Sequence, residues 1–117
     1  MRLTEIDYAN ARPVEGYGPG FFRIGGAVHS GPILVTATEV DPWAGLSDPA
    51  PLLDLRGHVD VIFIGTGQDI TPVPAALRTA LEEAGIGVEP MASPTACRTF
   101  NVLLSEGRRV AAALIPV

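Results

Sequence analysis

Cys97 is the side chain whose type and position come closest to a catalytic nucleophile. It is the only cysteine of the 117 residues, and it lies near the start of a predicted helix whose N-terminal partial charge, together with Arg98, favours a thiolate. A nucleophile also needs a general base, and no histidine stands in a pattern that supplies one. Cys97 shares a helical arc with Phe100 and Leu104, which is typical of a buried side chain. We therefore favour a structural role and keep reactivity as the second hypothesis.

A glycine-rich turn, Gly65-Thr66-Gly67, follows the apolar run at residues 61–64. Open α/β sheets form ligand crevices at the carboxyl ends of their strands, so this turn could face a small anion or a nucleotide. The dinucleotide fingerprint, however, requires a third glycine that the chain lacks, and two prolines remove backbone N–H donors from the next helix start. A structural turn is the favoured interpretation.

The polar side of the helix that carries Cys97 presents Arg98, Thr99 and Asn101. Asn101 lies at the border of the apolar arc, about 40° from Cys97, so it either bonds a neighbouring loop or lines a cleft with Arg98. Val102 interrupts the polar arc, as in helix faces that contact a partner. No catalytic residue and no metal ligand is predicted. The candidate binding residues are Gly65, Thr66, Gly67, Cys97, Arg98, Thr99 and Asn101.

Composition and charge argue against several classes of partner. The net charge is -5 and all eight basic residues are scattered arginines, which disfavours nucleic acid. The absence of lysine excludes a Schiff-base or P-loop lysine. Two histidines without metal-ligand spacing and a single cysteine predict neither a zinc site nor a disulfide. We expect no cofactor.

Length and hydropathy predict one soluble domain that spans residues 1–117. The apolar runs fall far short of the roughly 20 residues that a membrane helix needs, so no direct membrane insertion is expected. Residues 1–5 lack a signal-peptide or transit-peptide pattern. The expected location is the cytoplasm.

Glycine and proline divide the first third of the chain into short segments rich in β-branched and aromatic residues. These segments predict strands at 21–24, 27–30 and 33–38, arranged as a small antiparallel meander. A proline-containing loop with Trp43 covering the core follows, and then a short helix near 51–55.

From residue 59 onward the apolar pattern alternates between strand and helix. Such crossovers imply an α/β fold with a mainly parallel sheet, to which the N-terminal strands add an antiparallel layer or an antiparallel edge. The elements predicted here are, in order, a strand at 61–64, a helix that opens at Pro72 or Pro74 and ends at Gly85, a strand at 86–91, a helix with Ser93 as its N-cap, and a strand at 110–117.

Four segments together resemble the MTH-nine-three-eight-like family, and the resemblance extends from Tyr17 to Pro116. It implies a three-layer β/β/α fold with a central mainly parallel sheet and a second antiparallel sheet, and it implies no catalytic residue. The segments are Gly16-Tyr17-Gly18-Pro19-Gly20-Phe21, Ile64-Gly65-Thr66-Gly67, Gly85-Ile86-Gly87-Val88-Glu89 and Ala96-Cys97-Arg98-Thr99-Phe100-Asn101-Val102-Leu103-Leu104.

The family includes a mitochondrial respiratory complex I assembly factor, so the resemblance implies a non-enzymatic binding or assembly role with a protein partner. The process implied is biogenesis of complex I or of another membrane complex. The alternative is a small-molecule or anion-binding protein, or an undescribed enzyme, with a crevice between the turn at 65–67 and the helix at Cys97 and Arg98. A third hypothesis is a homo-oligomer that uses the helix face around Val102.

Overall fold

A computed structural model describes residues 11–117. Within this range the chain forms three helices and eight strands, and the strands are arranged in two sheets. Residues 1–5, in which no targeting pattern was found, lie outside this range. The strands are β1 (Val14–Gly18), β2 (Phe21–Ile24), β3 (Ala27–Ser30), β4 (Ile33–Val35), β5 (Val40–Pro42), β6 (Val61–Thr66), β7 (Gly87–Met91) and β8 (Val110–Ile115), and the helices are α1 (Ala50–Leu53), α2 (Ala75–Glu83) and α3 (Ser93–Ser105).

The smaller sheet is antiparallel, with strand order β1-β2-β3. Gly25 and Gly26 connect β2 to β3 with φ values of 59° and 78°, which suit a two-residue hairpin turn whose right-handed twist matches that of the strands. Phe22 and Ile24 alternate with exposed residues and point into the core, where their side chains are 0% and 2% exposed. One face of this sheet is therefore buried.

The predicted meander is correct for β2 and β3 but wrong for its third member. β1 pairs with β2, whereas the segment predicted at 33–38 forms the short strand β4 in the other sheet. Gly31, with a φ of 78°, lies before Pro32 at the point where the chain passes from the smaller sheet to the larger one. All three residues of β4 are buried, as expected for a strand covered on both faces.

The larger sheet has the order β5-β4-β8-β6-β7 and is mixed. β6 runs parallel to β7 and β8, since helical crossovers connect β6 to β7 and β7 to β8. β4 runs antiparallel to both β5 and β8. The prediction of a mainly parallel sheet is therefore corrected, because β4 enters the sheet antiparallel to β8 and its tight connection to β5 adds a second antiparallel pair.

Alternating side chains of the larger sheet enter two different core clusters. Phe63, Ala112 and Leu114 pack in a cluster that also contains residues of α3 and of the three-stranded sheet. Ile62 and Ile64 pack in a second cluster with residues of α1 and α2. Trp43 belongs to this second cluster and is buried, as predicted, and its indole N–H donates to the carbonyl of Asp48 at 3.0 Å.

The helix starts differ from those predicted. Pro72 and Pro74 both precede α2, because a proline disfavours helical backbone in the residue before it, and α2 begins at Ala75. Ser93 is the first residue of α3 and not its N-cap, which is Ala92. Gly85 follows α2 with a φ of 82°, in the left-handed conformation expected of a helix stop.

Candidate functional site

The predicted turn at residues 65–67 lies where β6 ends against the first turn of α3. A Cβ atom added to Gly65 would stand 2.7 Å from the Ser93 hydroxyl oxygen and 2.9 Å from the Ser93 Cα. Glycine is therefore required at this position by the close approach of helix to strand.

Ser93 connects three elements through one buried side chain. Its hydroxyl accepts a hydrogen bond from the Gly67 N–H at 2.9 Å and donates to the Ile115 carbonyl at 2.5 Å. The Ser93 N–H donates in turn to the Gly67 carbonyl at 2.7 Å. These bonds tie the ends of β6 and β8 to the start of α3. The sequence signal, a serine before a proline, suits a helix cap equally well, so this role was not predicted.

Thr66 is also engaged within the protein. Its hydroxyl accepts from the Thr71 N–H at 2.9 Å, and it lies within donating distance of the carbonyls of Asp69, at 2.9 Å, and Met91, at 3.3 Å. A hydroxyl has one proton, so it donates to one of these carbonyls at a time. The hydroxyl of Thr66 and the N–H of Gly67 thus stabilise the turn and the loop after it.

The structure buries the Cys97 side chain in the core and leaves the Arg98 side chain exposed to solvent. Cys97 is 4% exposed and packs in the same core cluster as Phe100. Burial raises the pKa of the thiol to about 12, and the nearby charge of Arg98 offsets only part of this effect. Arg98 is exposed and donates to the Thr95 hydroxyl at 3.3 Å. The thiol and the guanidinium do not meet in one site.

Asn101 binds the backbone of β1 with both ends of its amide group. Its side-chain oxygen accepts from the Val14 N–H and its side-chain nitrogen donates to the Val14 carbonyl, both at 2.8 Å. Asn101 thus bonds the backbone of another segment, but its partner is the strand β1, 87 residues away in the chain, and not a loop. Asn101 therefore fixes α3 against the three-stranded sheet.

Replacing Asn101 by alanine is expected to lower the free energy of unfolding by about 2 kcal/mol, because the half-buried N–H and carbonyl of Val14 both lose a partner. Urea unfolding measures the change. Thr99→Ala is the control on the same helix, since the Thr99 hydroxyl donates only to the Thr95 carbonyl one turn earlier. Equal midpoints for the two variants would contradict the proposed connection.

The outer face of α3 has a shallow depression of about 280 Å³, lined by Arg98, Thr99, Val102 and Leu103. Val102 is 54% exposed, as its place in the polar arc predicts. The candidate residues thus form two groups. One group faces inward, and the other, Arg98 and Thr99, lies on a small outer surface that is open to solvent.

A larger groove, of about 650 Å³, lies at the opposite end of the five-stranded sheet from the predicted turn. Its lining includes Val110, which begins β8 and is paired with Val61 at the start of the parallel strand β6. Its lining comes from Ala11 and from residues within 36–39, 54–59 and 104–110. Sequence patterns did not indicate this groove, because its parts are far apart in the chain and form no motif.

The family model described as protein of unknown function (DUF498/DUF598) matches residues 14–115. The chain belongs to this family. The resemblance stated from the four motifs is confirmed, since solved relatives of this DUF498/DUF598 member are Mth938-like domains.

Two relatives illustrate the range of the family. An uncharacterised protein of Rhodobacter capsulatus is 51% identical over 117 residues, which are 100% of this chain and 94% of that protein. The human protein named NADH dehydrogenase (ubiquinone) 1 alpha subcomplex assembly factor 3 is 31% identical over 123 residues, covering 99% of this chain and 67% of its own length. The human protein is thus longer than the shared domain.

Solved structures share the fold. The crystal structure of a protein described as an outer membrane protein of Bartonella henselae has a TM-score of 0.82 and 34% identity, over 91% of this chain and 95% of that one. The solution structure of an Mth938-like domain from Bordetella pertussis has a TM-score of 0.80 and 25% identity, over 99% and 92%. Within residues 11–117 no helix is long and apolar enough to cross a membrane.

Proposed function

We propose that this DUF498/DUF598 protein is a non-enzymatic assembly factor that binds a subunit of a respiratory NADH dehydrogenase or of another membrane complex. The observation that carries the proposal is the similarity to the human assembly factor along 99% of the chain. The proposed site of action is the cytoplasm.

The outer face of α3 is the proposed contact surface. Its inner face is held by the core around Phe100 and by the two bonds from Asn101 to Val14. Because α3 is already held in place, a partner can bind at Val102 and the adjacent depression without a further loss of conformational entropy in the helix. An exposed apolar residue beside an arginine is the composition found in interface centres.

The finer description of the fold accompanies this proposal. We propose one domain over residues 1–117 and a three-layer β/β/α order. It is supported by the two core clusters on opposite faces of the five-stranded sheet, one containing the three-stranded sheet together with α3 and the other containing α1 and α2.

The alternative, a small-molecule or anion site between the turn at 65–67 and the start of α3, stays a prediction. An anion there would have to displace Ser93 from the Gly67 N–H, and Cys97 would have to become accessible. No observation on these residues favours it over the binding role.

Co-purification tests the assembly role. The tagged protein, expressed at its native level in its own cells, is expected to retain subunits of a membrane complex, measured by quantitative mass spectrometry against a tag-only sample. Val102→Asp is expected to reduce this recovery severalfold, whereas Val28→Asp is the matched control, because both valines are 54% exposed.

Two other results would count against this proposal. Absence of any stable protein partner would contradict the assembly role. Recovery of untagged copies of the same chain alone would favour the homo-oligomer hypothesis instead.

A further inference from the structure

The 650 Å³ groove at the start of β6 and β8 is an open channel with three walls. One wall is the turn between β4 and β5, with Thr38 and Glu39. The second follows α1, with Asp54 and His58, and the third is the turn between α3 and β8, with Arg108. These five residues are exposed, so the groove opens to solvent along its rim.

The floor of the groove is apolar. Val59, Leu104 and Val110 are 7%, 5% and 4% exposed, and Leu55 is half-buried beside them. Leu104 and Val110 belong to one core cluster and Val59 to the other, so the groove lies where the two clusters meet. The floor is therefore a stable surface that offers contact to an apolar side chain.

The rim carries charges of both signs on different walls. Glu39 and Asp54 supply carboxylates, and Arg108 and Arg109 supply guanidinium groups. Arg109 is held in place by Asp60, at 2.8 Å, and by the Gly57 carbonyl, at 3.1 Å. A partner that matches this rim must itself carry an acidic and a basic group, separated by an apolar part.

Other classes of ligand fit this combination less well. A polyphosphate requires a predominantly cationic surface, which Glu39 and Asp54 oppose. Small ligands are normally enclosed over most of their surface, whereas this groove is open along its rim. A peptide chain can cross an open groove with its ends in solvent, and its side chains supply apolar and charged groups together.

We propose that the groove binds a short extended segment of a partner protein, with a large apolar side chain on the floor flanked by a basic residue facing Glu39 and an acidic residue facing Arg108. This inference deepens the proposed function by stating the chemistry of the client segment. Charge order along the segment sets specificity, because like charges at either wall would repel.

A library of nine-residue peptides displayed on beads tests the proposal with the full chain. The wild type is expected to select peptides with an apolar centre, a basic residue on one side and an acidic residue on the other. Arg108→Glu is expected to weaken binding of the selected peptides about tenfold. Val28→Asp is the control, because Val28 is exposed in the three-stranded sheet and does not line the groove, and it is expected to select the same peptides as the wild type.

The double variant Glu39→Arg with Arg108→Glu gives the sharpest readout. It leaves the net charge unchanged and alters only exposed side chains, so the fold is retained. It is expected to select peptides with the two charges in reversed order. An unchanged consensus would overturn the proposal, and so would selection of no peptide.

Two comparisons separate this inference from its alternatives. Binding of inorganic phosphate that depends on Arg108, without peptide selection, would overturn it in favour of a small-anion site. Failure of selection together with Val102-dependent co-purification would remove the groove proposal and leave the assembly role intact.

Discussion

Cys97 in the folded protein is expected to react with a thiol reagent such as iodoacetamide about 2000-fold more slowly at pH 8 than in the unfolded chain. Burial raises its pKa to about 12, whereas an ordinary cysteine has a pKa of about 8.5. A higher pKa leaves less thiolate at a given pH, by about tenfold for each unit, and the thiolate is the reactive form. Mass spectrometry of alkylated protein over time measures the rate.

The pH dependence distinguishes a shifted pKa from simple enclosure. The alkylation rate of folded Cys97 is expected to rise with pH up to about pH 12. The rate in the unfolded chain should level off near pH 9. Val102→Cys in a Cys97→Ala background is the control, because position 102 is exposed on the same helix. Rapid reaction of native Cys97 at neutral pH would revive the crevice hypothesis.

Gly65→Ala is expected to lower the free energy of unfolding by about 3 kcal/mol and the melting temperature by roughly 15 °C. The added Cβ would stand 2.9 Å from the Ser93 Cα and 3.0 Å from a methyl group of Leu114. Because the first of these contacts is with backbone, α3 must move away from β6, and the Ser93 bonds to Gly67 and Ile115 lengthen. Thermal and urea unfolding measure the loss.

Gly16→Ala is the matched control for this prediction. Gly16 also lies in a strand, its φ is outside the left-handed region, and a Cβ there would meet no atom within 4 Å. Its unfolding free energy should change by less than about 0.5 kcal/mol. A similar loss in both variants would show that any side chain at a strand glycine of this protein is costly, and that the contact with Ser93 does not account for the need for glycine at position 65.

The candidate residues that form the family motif have two different roles. Cys97 is part of the core, and Asn101 joins α3 to β1, so both serve the fold. Arg98 and Thr99, together with Val102, form the outer surface. Substitutions on this outer surface are therefore expected to separate partner binding from stability, whereas substitutions of Cys97 or Asn101 would change both.

Local patterns were sufficient for much of the fold. The apolar run before Gly65 predicted a buried strand, and the 3.6-residue spacing of Ala96, Phe100 and Leu104 predicted the inner face of α3. Glycine positions predicted the hairpin after β2 and the end of α2. These features depend on neighbours within a few residues, which a sequence displays directly.

The sequence by itself determined the element types from residue 61 onward, the buried face of α3 and the membership in the family, but it did not indicate the strands β1 and β5. Only the tertiary structure decided that β4 joins the larger sheet, that Ser93 connects β6 to β8, and that the main groove lies at the opposite end from Gly65. Apolar periodicity reports only relations between residues that are close in the chain. It therefore does not show which strands pair or which distant segments come into contact. The free energy gained by burying a side chain depends on which distant segment packs against it, and that contact forms only when the chain folds.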